Sequence, residues 1–171
     1  MLNVSPEVSV RRATANDVAL VLGLIRELAE YERLSHVVTA TEPALREALF
    51  GAHPGAEVLL AFEAAAPVGF AVYFHNFSTF LGKRGLWLED IYVKPASRRK
   101  GYGRMLLLHV ARIAHERGCG RFEWAALDWN VPAVEFYKSL GAVPLDDWTI
   151  FRVTGEALGR LAQMSSGIAL I

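Results

Sequence analysis

A chain of 171 residues, 53% hydrophobic and 21% charged, is large enough to bury a substantial core and matches the usual size of one globular domain. Its 18 Lys and Arg balance 18 Asp and Glu, which excludes the broad positive field of a nucleic-acid binder and makes any charge-based recognition local. The single cysteine, Cys119, excludes an intrachain disulfide and a multi-thiolate metal site.

The opening residues MLNVSPE have no basic start followed by an apolar run, so no secretory signal and a cytoplasmic location are expected. Residues 8–12 then alternate apolar and polar as a strand does, ahead of Thr14-Ala-Asn-Asp17, a capping-box-like opening for a helix. Val18, Val21, Leu22, Ile25, Leu28 and Ala29 follow at helical spacing, with Arg26, Glu27, Glu30 and Arg33 on the charged face. A shorter helix is predicted over 41–50, stopping at Gly51. Residues 58–63, 68–77 and 86–93, rich in Val, Phe, Tyr and Leu and separated by turn residues, read as three strands. The longest apolar stretch, 64–74, contains Pro67 and Gly69 and is well short of the roughly 18 residues that cross a bilayer, so no membrane partner is expected.

Helical periodicity returns over 103–117 through Met105, Leu106, Val110, Ile113 and Ala114, and Gly118 suits a left-handed cap. A strand is predicted over 122–127. A helix over 131–140, with Pro132 in its first turn and Gly141 at its end, precedes a last strand over 149–153. Interleaved helices and strands predict a mixed α/β (α+β) fold around one sheet, in a single domain 1–171 with its core at about 8–161. No repeat or linker interrupts it. The apolar tail, 165–171, reads as a frayed end or a packing arm.

Between a predicted strand and a predicted helix lies Val93-Lys-Pro-Ala-Ser-Arg98-Arg99-Lys100-Gly101-Tyr102-Gly103-Arg104. The first N–H groups of a helix lack intrahelical partners, the helix dipole there favours anions, and glycines allow a diphosphate close to the backbone. Arg98, Arg99, Lys100 and Arg104 add charge. The P-loop is excluded because G-K-[ST] is missing, and the dinucleotide fingerprint because Leu106 stands where a third glycine is required. A glycine-softened turn with solvated basic residues is the alternative for an isolated G-x-G.

The arrangement Arg98-x-x-Gly101-x-Gly103, preceded by Leu88-Glu-Asp-Ile-Tyr-Val93 and followed by Asn130-x-x-Ala133-x-x-x-Tyr137, resembles the signature of the GNAT N-acetyltransferase superfamily. The segments from Leu24 to Glu32, Trp87 to Val93, Leu127 to Asn130 and Glu135 to Ala142 bring it closest to the diamine (spermidine/spermine) acetyltransferase branch. The resemblance implies a central mixed, mostly antiparallel sheet flanked by helices, a homodimer, and acetyl-CoA as donor. It implies that the backbone of Ile91, Tyr92 and Val93 pairs with the pantetheine arm and that Arg98, Arg99, Lys100, Gly101, Tyr102, Gly103 and Arg104 surround the diphosphate. Asn130 and Ala133 would complete the cofactor site.

An alkyl amine with pKa about 10.4 is mostly protonated at pH 7, and presenting the neutral nucleophile costs about 4.6 kcal/mol. Glu89, a carboxylate within an apolar strand, is out of place unless it is paired, hydrated or functional. The resemblance makes it the general base, acting through water, and a substrate contact. The leaving thiolate benefits from a proton donor. Composition alone reads Tyr137 as helix packing, and the resemblance makes it that general acid. Tyr31 and Glu32 match amine-binding positions of the branch, Asp128, Asp146 and Asp147 are available to add negative charge, and Glu27, Glu30 and Asp90 are expected nearby. A solvated acidic face is the alternative reading.

Other residues offer less. Cys119, between Gly118 and Gly120, is not expected to be activated by a His or Asn and reads as a small turn residue. His36, His53, His75, His109 and His115 include no i,i+4 pair, so no metal is expected. Trp124 and Trp129 read as core or pocket wall. The functions left in contention are an acetyltransferase for a diamine, polyamine or thialysine-like amine, an acetyltransferase for an antibiotic or peptide amine, and a non-catalytic CoA-binding module.

Overall fold

The computed structural model describes residues 7–164, so the expected role of the 165–171 tail lies outside the described residues. The chain divides into two compact units between Ala125 and Ala126.

The first unit is built on a five-stranded sheet. Its strands are β1 (Val8–Arg12), β2 (Glu57–Glu63), β3 (Ala66–Ser78), β4 (Lys83–Val93) and β5 (Phe122–Trp124), laid side by side in sequence order. The first three pairings are antiparallel and β4 pairs with β5 in parallel. The sheet is thus mixed and mostly antiparallel, as the sequence implies. A parallel neighbour needs a long crossover, and helix α3 (Tyr102–Glu116) supplies it.

The helix α1 (Val18–Tyr31) buries Val18, Val21, Leu22, Leu24, Leu28 and Ala29. Val21, Leu24 and Leu28 join Val58, Leu60, Phe70 and Tyr92 in one apolar cluster, with Ile25 packed at its margin. On α3 the buried residues are Tyr102, Leu106, Leu107, Val110 and Ala114, and the helix packs on β3 and β4. The alternate β2 residues Val58 and Leu60, and Leu59 and Ala61, are all buried, the continuous apolar run of a strand covered on both faces. Helix α2 (Glu42–Phe50) is capped by the Thr41 hydroxyl, which accepts from Ala44 N–H.

The Thr14 to Asp17 signal forms as read. The Asp17 carboxylate accepts from Thr14 N–H at 2.8 Å, and a short 3-10 turn over Ala15–Asp17 leads into α1. Arg11 donates two hydrogen bonds of 2.8 Å to the same carboxylate, which holds Asp17 well below the usual carboxylate range. Gly118 takes the positive φ of 65° expected after α3.

The second unit contains α4 (Val131–Ser139) and α5 (Gly155–Gln163). Two expectations require correction. The strand expected over 122–127 stops at Trp124. The strand expected over 149–153 does not form: the segment has neither helix nor strand, and Ile150 and Phe151 are 70% and 88% exposed. An alternating run such as Thr-Ile-Phe-Arg-Val becomes a strand only where a neighbouring ladder receives it, because β preference is largely a matter of context. The helix α5 beyond it was not foreseen.

Candidate active site

The ladder is irregular in two places, between β2 and β3 at Ala61 and Phe62 and between β3 and β4, and the second lies beside the expected base. Leu88 pairs with Tyr73 and Asp90 with Val72, so one residue, Glu89, has no opposite number. This is a β-bulge, which leaves the extra residue out of the ladder and re-aims the strand. Tyr73 and Val72 are neighbours on β3 and point to opposite faces, and Leu88 and Asp90 therefore do the same. Leu88 is buried on one side, and beyond the bulge Tyr92 joins the α1-side cluster. Glu89 is exposed and accepts from the Trp87 indole N–H at 2.9 Å.

Asp90 is half-buried. Burial, and then the charges of Glu89 and Glu32, push its carboxyl up to about 6. Glu32, which caps the C-terminus of α1, is itself raised by burial. These three carboxyl groups therefore share one field. Earlier on α1, Glu27 receives the Tyr92 hydroxyl at 3.4 Å and pairs with Lys94 at 3.3 Å, and a cavity of about 350 Å³ opens along Arg26, Glu27, Glu30, Ser35 and Val38.

Strand β5 accompanies β4 only from Leu86 to Leu88. From Glu89 to Val93 no strand among the described residues pairs with the edge of β4 turned away from β3, and apart from Val93 C=O, which accepts from Arg98 Nε, that edge could receive an extended ligand. Ile91, Tyr92 and Val93 pair with Ala71, Phe70 and Gly69 on the other side.

Past β4 the chain makes a 3-10 turn over Pro95–Ser97 and enters α3 through Gly101, whose φ of 88° suits glycine. A Cβ built on Gly101 meets nothing within 4 Å, and one on Gly103 meets only Val93 Cγ2, at an ordinary 3.8 Å. Packing therefore does not require Gly103 to be bare, whereas a ligand lying against the helix N-terminus would. Arg99 and Arg104 are exposed beside it. Lys100 bonds Glu63 at 3.1 Å, and the neighbouring Tyr102 side chain is buried. The loop fits a diphosphate: a glycine cradle at a helix start, flanked by exposed guanidinium groups. Arg98 turns elsewhere. Its Nε donates to Val93 C=O at 3.0 Å, and its guanidinium lies 4.3 Å above the Tyr31 ring and 5.8 Å above that of Tyr92.

A model of the acetyltransferase (GNAT) family matches residues 24–142, from α1 through the glycine loop to the end of α4. The chain belongs to that family. It is 43% identical to the thialysine N-epsilon-acetyltransferase of Sus scrofa over 166 residues, 91% of this chain and 97% of the relative. It is 31% identical to the L-ornithine N5-acetyltransferase of Arabidopsis thaliana, covering 91% of this chain and 88% of that one. Among solved structures, an integron cassette protein from the mobile metagenome of V. cholerae superposes with a TM-score of 0.77 at 30% identity, covering 91% and 98% of the two chains. The protein is an N-acetyltransferase of the GNAT family.

The remaining positions expected of this acetyltransferase are in the second unit. Asn130 begins α4, its carbonyl accepting from Ala133 and Val134 N–H at 3.0 and 3.1 Å. Tyr137 is half-buried beside Phe136, ring centroids 5.5 Å apart, and burial raises its hydroxyl above the ordinary tyrosine value. Asp128 is exposed, and Trp129 is 54% exposed, too open for a core residue.

Two features of the first unit escape the sequence. Asp90, expected near the amine, has its carboxyl pushed up to about 6, and the only sequence signal for that shift is its adjacency to Glu89 in an apolar strand. Cys119 Sγ lies 3.8 Å from His75 Nδ1, although 44 residues separate them. His75 Nε2 accepts from Arg117, whose guanidinium also holds Glu57. That contact depends on strand pairing and has no local signature.

Proposed function

We propose that this acetyltransferase moves the acetyl group of acetyl-CoA onto a primary amine of a small, multiply charged substrate, a diamine, polyamine or thialysine-like amino acid, by direct attack in a ternary complex. The observation that carries this reading is the shared field of Glu32, Glu89 and Asp90, strong enough to help raise Asp90 to about 6. A cationic amine entering that field relieves the repulsion, and Glu27 and Glu30, which line the cavity along α1, are candidates for a second cationic centre. The names of the thialysine and ornithine enzymes point to substrates of the same kind.

Bound acetyl-CoA supplies an electrophilic thioester carbonyl and, after transfer, a thiolate leaving group. Around it, the exposed edge of β4 at Ile91, Tyr92 and Val93 pairs with the pantetheine amides. The N–H groups of Gly101, Tyr102 and Gly103 with Arg99 and Arg104 receive the diphosphate, while Asn130 and Ala133 add contacts from α4. Glu89, solvated and out of the ladder, accepts the amine proton through water. Tyr137 keeps its proton at neutral pH and donates it to sulfur. Tyr31 and Glu32 bind the amine and Asp128 adds negative charge. From the family resemblance we also infer a homodimer in the cytoplasm, which light scattering on the purified protein and fractionation of cells would check.

The deciding experiment is a steady-state panel of amines read by thiol release. Dicationic amines such as spermidine and thialysine are expected to exceed neutral-bodied monoamines in kcat/KM by at least tenfold. Equal values would remove the substrate assignment and leave the acetyltransferase in place.

A further inference from the structure

We propose that Arg98 is a positioning residue that fastens the cofactor loop to the amine-binding end of α1, rather than a ligand of the diphosphate. The proposal rests on the reading that Tyr31 and Glu32 receive the amine. The side chain is committed at every part: Nε donates to Val93 C=O at 3.0 Å, and the guanidinium lies between the Tyr31 ring at 4.3 Å and the Tyr92 ring at 5.8 Å. A flat cation on aromatic faces is a directional contact that a lysine would not reproduce.

The neighbours continue the same connection. Tyr92 donates to Glu27 at 3.4 Å and Lys94 pairs with Glu27 at 3.3 Å, so Tyr92 and Lys94 at the end of β4 and, past the 3-10 turn, Arg98 all reach α1. Of the basic residues on the loop, Lys100 is bonded to Glu63, which leaves exposed Arg99 and Arg104 for phosphate oxygens. Tyr31 immediately precedes Glu32, the C-cap of α1, so a ring held by Arg98 fixes where that carboxylate stands. Loop and amine site are then one mechanical piece.

The test uses the full-length enzyme with acetyl-CoA and spermidine or thialysine, whichever the native enzyme acetylates better. It compares Arg98→Ala, Arg98→Gln, Tyr31→Leu and the double variant Arg98→Ala/Tyr31→Leu. Gln retains a donor for Val93 C=O and removes the cation. Arg98→Ala and Tyr31→Leu are each expected to raise the amine KM roughly three- to thirtyfold. The double variant should be no worse than the poorer single, Arg98→Gln should follow Ala, and acetyl-CoA affinity by calorimetry should stay within about twofold for all Arg98 variants. An amine KM that is unchanged or lower in Arg98→Ala, multiplicative effects in the double variant, or a loss of acetyl-CoA affinity beyond tenfold overturns the proposal.

If the native enzyme acetylates neither amine, the substrate reading fails by itself, and hydrogen exchange then decides the link. The amides of Glu32, Arg33 and Leu34, which close the end of α1 onto Leu28, Glu30 and Ala29, should exchange faster in Arg98→Ala than in the native protein. Equal exchange there means that Arg98 does not hold this end of the helix.

Discussion

Tyr137 and Asp90 have both moved toward their protonated forms, and for the same physical reason. Burial disfavours the phenolate of one and the carboxylate of the other. For Tyr137 this keeps a proton available at neutral pH. Tyr137→Phe retains the ring beside Phe136, so the melting temperature and acetyl-CoA affinity should change little, while kcat falls by roughly 10² to 10⁴. A near-native kcat, measured where the chemical step limits turnover, would end the general-acid assignment. For Asp90 the consequence is a stability that depends on pH. Its folded value, about 6, exceeds its ordinary value of 3.8, so the folded state binds this proton more tightly and loses stability as pH rises from about 4 to about 6. Asp90→Asn should be more stable than the native protein by about 2 kcal/mol at pH 8 and equal to it near pH 4. Urea unfolding at the two pH values tests this, and a constant difference would show that the side chain, not its charge, is responsible.

At the scale of elements, the glycine loop separates packing from recognition. A Cβ at Gly103 has ordinary room, and alanine is the better helix former, so Gly103→Ala should leave the melting temperature unchanged or slightly higher. The same methyl group would stand where a diphosphate lies against the helix, and acetyl-CoA affinity should fall about tenfold or more. Calorimetry with unchanged affinity would take the first turn of α3 out of the cofactor site. The elements that could be read from sequence were those with a local cause. Thr14 and Asp17 announce a helix start, Gly118 an end, and the α1 stripe a buried face. Partners distant in sequence determined the rest. Residues 149–153 alternate like a strand and meet no ladder, β5 stops at Trp124 because pairing with β4 stops at Leu88, and Arg98 leaves the loop for a ring on α1.

At the scale of the whole molecule, electrical neutrality conceals a division of charge. The first unit places carboxylates at the end of α1 and on β4, and guanidinium groups at the start of α3, so in the proposed reading a cationic acceptor and an anionic donor would each meet the opposite sign. The family segments made that division legible, because the residues responsible lie in short contiguous runs. The bulge was not legible, since a period of two cannot register one surplus residue. That surplus makes position 89 separable from the rest of the sheet. A one-codon deletion of Glu89 would join Leu88, facing Tyr73, directly to Asp90, facing Val72, and leave every other partner in place. Most deletions inside a central strand throw the remainder of that strand onto the wrong face. This one should produce a more regular ladder, with a melting temperature at or above that of the native chain and no measurable turnover. Collapse of the fold would show instead that the kink is required for assembly. If Glu89 is the proposed base, a lineage that lost this codon would keep the architecture while giving up the chemistry, because the surplus residue that leaves the ladder is the one that would carry the proton.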